Sequence, residues 1–80
     1  MRELTSGNID ALHKRIGQNV AKIRKEKKIT KLDLALAIGL KSVGLISVAE
    51  LYHNKKHFNI EHLYKIAVAL DVDICEFFKP

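Results

Sequence analysis

Apolar residues recur at helical spacing along nearly the whole chain. Ile9, Leu12, Ile16, Val20 and Ile23 step by three or four positions, which predicts one long amphipathic helix reaching about Lys27, with Asn8 as its N-cap. Residues 1–7 show no period and are expected to be a flexible terminus, leaving 8–80 as the domain. Gly17 falls inside the first helix, where it costs about 1 kcal/mol relative to alanine. It is read either as a point of close approach by a neighbouring helix or as a neutral choice.

Thr30 with Asp33 three residues on forms a capping signature that opens a second helix, whose Leu34, Ala35 and Ile38 share a face. Gly39 supplies the left-handed residue that ends it. A third helix follows over about 42–53, with Ser42 as its candidate N-cap and Asn54 leaving it in the left-handed conformation. Advancing 100° per residue from Ile46, the residues Ser42, Ala49, Glu50 and His53 lie within about 60° of the inward direction. Gly44, Ser47, Val48 and Leu51 point the other way. Asn59 caps a fourth helix with Ile60, Leu63, Ile66, Ala67 and Leu70 as its core face, and Asp73 with Glu76 opens a short fifth containing Ile74, Phe77 and Phe78. No period-two run and no Asn-Gly or Asp-Gly hairpin turn appears, so the fold class is all-α with five helices.

The segment from Thr30 to Glu50, TKLDLALAIGLKSVGLISVAE, is two short helices joined by a tight turn. Taken with IRKEKKIT before it and residues 59–78 after it, it resembles the phage-repressor/Cro-like, or XRE-like, helix-turn-helix family over roughly Leu12 to Phe78. The resemblance implies a compact repressor-like DNA-binding domain. It also implies a third helix whose exposed face lies in the major groove, which makes Ser42, Val43, Gly44, Ser47 and Val48 the base-facing candidates. Lys31, Lys41, Lys55 and Lys56 flank the two short helices and are candidate phosphate contacts, with solvated surface lysines as the alternative. Arg24 and Glu50 occupy positions where the resemblance implies an ion pair between the first and third helices; an unpaired surface arginine is the alternative. Three departures stand out. Lys28 occupies the place of the glycine that usually ends helix 1, one extra residue lies between Gly39 and Glu50, and about two more follow Glu50. The second departure leaves the register of the third helix open by one residue.

The base-facing set contains none of the Gln, Asn, Arg or Lys side chains that pair with two atoms of one base. Readout would therefore lean on short hydrogen bonds from the serines, thymine-methyl contacts from the valines, and DNA shape. The rival expectation is that the apolar face of Gly44, Val48 and Leu51 meets a protein.

Charge sharpens the first reading. The chain carries a net +5, but Ala11 to Lys56 holds eleven Lys and Arg against three acids, while both flanks are mildly negative. Such concentration suits a polyanion such as double-stranded DNA, although a solvated basic face would look the same. Phe58, Tyr64, Val68 and Phe78 are more apolar surface than so small a domain readily hides, which suggests a homodimer joined through the C-terminal part. Their other possible use is to complete the monomer's own core. A lone cysteine, Cys75, rules out an internal disulfide, and neither a membrane-length apolar run nor a signal-peptide pattern appears, so a cytoplasmic protein is expected.

His53, His57 and His62 lack zinc-site spacing and are read as surface histidines. No catalytic or phosphate-loop motif is present, so neither an enzyme nor a cofactor is expected. The leading expectation is a sequence-specific DNA-binding transcriptional regulator, a repressor occupying a palindromic operator as a homodimer. The alternative is a protein-interaction module, such as an antitoxin-like partner, with a ligand-sensing enzyme well behind.

Overall fold

A computed structural model describes residues 4–80 as four α-helices and two 3-10 segments, with no strand among the described residues. The first three positions of the expected flexible terminus lie outside the described residues. Helix α1 spans Ser6–Glu26 and starts earlier than Asn8 would place it. Thr5 is extended, and its hydroxyl accepts from the Asn8 backbone N–H at 3.1 Å, so Thr5 is the cap and Asn8 sits in the first turn. Ile16 and Val20 are buried and Ile23 packs beside them, whereas Ile9 and Leu12 are 52% and 41% exposed. The first turns of α1 thus carry an apolar edge that the core does not cover.

Helix α2 spans Lys31–Ala37. The Thr30 hydroxyl accepts from the Asp33 N–H at 3.0 Å, and Gly39, at φ +88°, turns the chain. Leu40 N–H donates to Ala35 O and Gly39 N–H to Leu36 O, the paired bonds of a Schellman ending. Helix α3 spans only Gly44–Glu50. Ser42 does not cap it: Val43 holds that position with no side-chain bond, and Ser42 lies exposed in the bend before it. The expected continuation to His53 fails because Leu51 already ends the helix and Tyr52 turns left-handed at φ +54°. Asn54 is left-handed as expected, but Lys55 is too, and His53–Lys55 form a 3-10 turn.

Helix α4 spans Ile60–Leu70, capped reciprocally by Asn59 and His62. Asn59 Oδ1 accepts from the His62 N–H at 2.7 Å, and the Asn59 N–H donates to His62 Nδ1 at 3.2 Å. Leu63, Ile66, Ala67 and Leu70 are buried, but Ile60 is 70% exposed. Phe58 explains the difference. It precedes the cap and is buried, so it and Leu63 occupy the two positions of a hydrophobic staple, and Phe58 takes the inner place expected of Ile60. Phe58 therefore belongs to the core and is unavailable to a dimer surface.

The fifth element, Ile74–Phe78, is a 3-10 segment instead of an α-helix. Asp73 accepts from the Cys75 N–H, and Asn19 Nδ2 of α1 donates to the Phe77 and Lys79 carbonyls at 2.9 and 2.7 Å. A five-residue segment tied this way gains more from docking than from α-helical bonds. Docking buries Phe77 completely among the core residues Val20, Leu34, Ile46, Leu63, Ile66 and Leu70.

Candidate functional site

Three devices fix α3 against its scaffold. At Gly17 a Cβ would stand 2.5 Å from Ala49 O and 2.7 Å from Glu50 O, so the last turn of α3 approaches the α1 backbone closer than any side chain permits. Ile46 and Ala49 are buried in the core. Finally, Arg24 of α1 meets Glu50 in a two-pronged ion pair: Nε donates to Oε2 at 2.8 Å and Nη2 to Oε1 at 3.1 Å. Both side chains are buried. Arg24 Nη1 also donates to Ile29 O at 2.9 Å, so one guanidinium holds α3, its own helix and the connection leading into α2.

With its inner side held, α3 presents its beginning to solvent. Ser42, Val43 and Gly44 are exposed, and Ser47 and Val48 are half-buried. Ser42 and Val43 precede the helix, so the outward set is a turn plus the first turns of a short helix. Gly44 has open space around it: a Cβ there would meet only Ser42 Oγ, at 3.8 Å, and no left-handed φ requires glycine. Nothing among the described residues accounts for the missing side chain. Leu51, just past the helix, is 75% exposed.

The lysines are distributed around this surface along the chain. Lys31 is the first residue of α2 and half-buried; Lys41 sits in the bend before α3, exposed. Lys55 and Lys56 lie exposed in and after the 3-10 turn that follows α3. Among the described residues none of the four takes part in an ion pair.

Sequence reasoning missed one cluster. The Tyr52 hydroxyl donates to Asp10 Oδ1 at 2.7 Å, and the His13 and His57 rings stack with centroids 3.8 Å apart. The sequence offers His57 only as a surface histidine and gives His13 no place. Asp10 and His13 are three residues apart on one face of α1, but no periodicity could pair them with residues some forty positions away. Among the described residues no three His, Cys, Asp or Glu side chains gather where a metal could bind. Cys75 is exposed, and its hydrogen bond to Asp73 pushes the thiol up, away from the thiolate form. No described helix is long and apolar enough to cross a membrane.

A family model described as helix-turn-helix matches residues 20–77. No curated protein matches the chain.

Proposed function

Because the chain belongs to the XRE-type helix-turn-helix family, as in phage repressor and Cro, we propose that it regulates transcription by reading duplex DNA, with the start of α3 in the major groove. The observation that carries this reading is the division of α3: Ile46, Ala49 and Glu50 are locked inward, while every side chain at its exposed start is short. A helix so held can bring its backbone close to base edges. Ser42 and Ser47 offer hydrogen bonds, Val43 and Val48 offer contacts to thymine methyls, and Gly44 removes the one side chain that would hold the helix off. Lys31, Lys41, Lys55 and Lys56 supply phosphate contacts, which position without specifying.

In this reading the protein is a repressor that occupies a palindromic operator as a homodimer and blocks the promoter. The two copies join through the exposed stripe of α4, Ile60, Tyr64 and Val68, with Phe78 at its edge. A second reading, a module that binds another protein through the same helices, is favoured by Leu51 and by Leu36, which is 56% exposed.

Selection of bound duplexes from a random pool, followed by titration of the selected site and a scrambled one, tests the proposal. Discrimination of about a thousandfold is expected, the low end for specific binders. Val48→Ala should relax preference at one base position and leave the salt dependence almost unchanged. Equal affinity for both sites would overturn the reading in favour of the protein module.

A further inference from the structure

Asp10 and His13 lie before the span that the family model matches, and both reach across to the segment that follows α3. At one end of that segment the Tyr52 hydroxyl is bonded to Asp10, and the Tyr52 ring lies 5.5 Å from that of His13. At the other end His57 stacks on His13, while its Nδ1 sits 3.0 Å from Lys55 O. A carbonyl can only accept, so this His57 nitrogen carries a proton and donates. Lys55 and Lys56 lie between the two ties. The backbone they ride on is one that L side chains disfavour: Tyr52, Asn54 and Lys55 have φ of +54°, +51° and +61°. Such a conformation persists only when its surroundings hold it.

We propose that Asp10, His13, Tyr52 and His57 form a clasp that positions the Lys55–Lys56 segment for phosphate contact, and that the clasp opens when His13 takes up a proton. These four are positioning residues, and the proposal rests on the DNA-reading function argued above. Neutral imidazoles stack, but two imidazolium rings at 3.8 Å repel. His13 is held below the ordinary histidine value chiefly by burial, with the charge of His57 adding to the effect and Asp10 opposing it. Lys55 and Lys56 adjoin His57 in the chain and add positive charge beside it, whereas across the adjoining groove Asn59, Ile60 and Leu63 of the capped start of α4 and Phe78 of the C-terminal segment do not titrate. Tyr52 is raised by its bond to Asp10 and stays a donor.

The sign follows from these shifts. A histidine whose value is lower in the closed form than in the open one favours closure at high pH. Closure keeps its full advantage above the open-form value, about 6.5, and loses it as pH falls through the lowered value of His13. Charging histidines would by itself tighten DNA binding and steepen its salt dependence, whereas opening the clasp does the reverse, because two lysines leave the phosphates.

The test uses the full chain. Amide-exchange protection, corrected for intrinsic rates, is followed at Lys55 and Lys56, whose N–H groups donate to Tyr52 O and His53 O. In parallel, the salt dependence of binding is measured on a duplex of random sequence. Between about pH 7.5 and 5.5, protection should fall, by up to about tenfold for one histidine. The log–log salt slope should become shallower by up to about two. His13→Phe keeps a ring in the stack without its proton and should level the pH dependence, while Tyr52→Phe should lower protection at both pH values. If either variant fails to fold, the wild-type pH profile decides. Protection that stays level, or a slope that steepens with acid, overturns the proposal. Protection that falls while no duplex binds at either pH supports the clasp and removes the DNA reading instead.

Discussion

Arg24 donates through three of its nitrogens, two to Glu50 and one to the Ile29 carbonyl, and among the described residues no buried side-chain polar atom lacks a partner. Removing one member of such a pair leaves the other charge buried. Glu50→Ala should therefore cost about 3–5 kcal/mol, a large share of a small domain's stability, read from urea or thermal unfolding. Replacing both residues with apolar side chains of similar volume should cost much less. The resemblance placed these two residues opposite each other, but only the coordinates show that they are buried and that Ile29 O is a third partner. The glycines divide in the same way. At Gly17 sequence reasoning left two readings open, and the carbonyls of Ala49 and Glu50 decide for close approach. At Gly44 nothing among the described residues is close, so Gly44→Ala should leave the fold unchanged or stabilise it by up to about 1 kcal/mol. If DNA approaches this backbone, the same change should weaken binding to the selected site at least about tenfold, a loss of about 1.4 kcal/mol. Undiminished affinity would mean that the glycine does not face the bases.

Three of the helices end with the same pair of crossed backbone bonds, but only one of them has the residue that suits it. After α1, Ile29 N–H reaches Arg24 O and Lys28 N–H reaches Lys25 O; after α4, Val72 N–H reaches Ala67 O and Asp71 N–H reaches Val68 O. The left-handed residues are Lys28 at φ +59° and Asp71 at φ +56°, where α2 has Gly39. A left-handed side chain costs roughly 1–2 kcal/mol, offset in part by the entropy a glycine would add to the unfolded chain. Lys28→Gly should therefore stabilise by about 0.5–1 kcal/mol, seen as a higher urea midpoint with unchanged slope. A fall in the midpoint would mean that the lysine makes a compensating contact. Element boundaries were legible where a side chain caps, as at Thr30 and Asn59. They were missed at α1, where Asn8 offered a competing cap signal to Thr5, and at α3, which has no capping side chain, so Ser42 was a false signal; the strained backbone from Tyr52 to Lys55 leaves no periodic trace.

At the scale of the whole molecule, the basic charge lies around the helix-turn-helix, while the large exposed apolar side chains divide between that motif, at Leu32, Leu36, Val43 and Leu51, and the outer face of α4. The core face of α4 could be read from its period. The fate of Phe58, buried, and of Ile60, exposed, depended on which of two neighbouring apolar residues reached the core first, and periodicity does not rank them. What remains outside is a stripe at i, i+4 and i+8: Ile60, Tyr64 and Val68 are each more than 60% exposed. Apolar grooves flank it, one lined by Leu12, Phe58 and Phe78, the other by Ala37, Ile38 and Ala69. Glu61 and Lys65 pair along the same helix at 3.7 Å. If two α4 helices met antiparallel about Tyr64, Glu61 of one copy would come near Lys65 of the other, so the surface complements itself about a twofold axis. The proposed homodimer should then give way to monomer when Val68 is changed to Lys. The fold should be nearly unaffected, because an exposed substitution of this kind usually stays within about 0.5 kcal/mol. Binding to a full palindrome should fall by about a hundredfold or more as the second half-site loses its tethered partner, while binding to a single half-site stays as it was. Sedimentation of the wild type showing only monomer at high concentration, or equal losses on both DNAs, would place the dimer contact elsewhere or remove it.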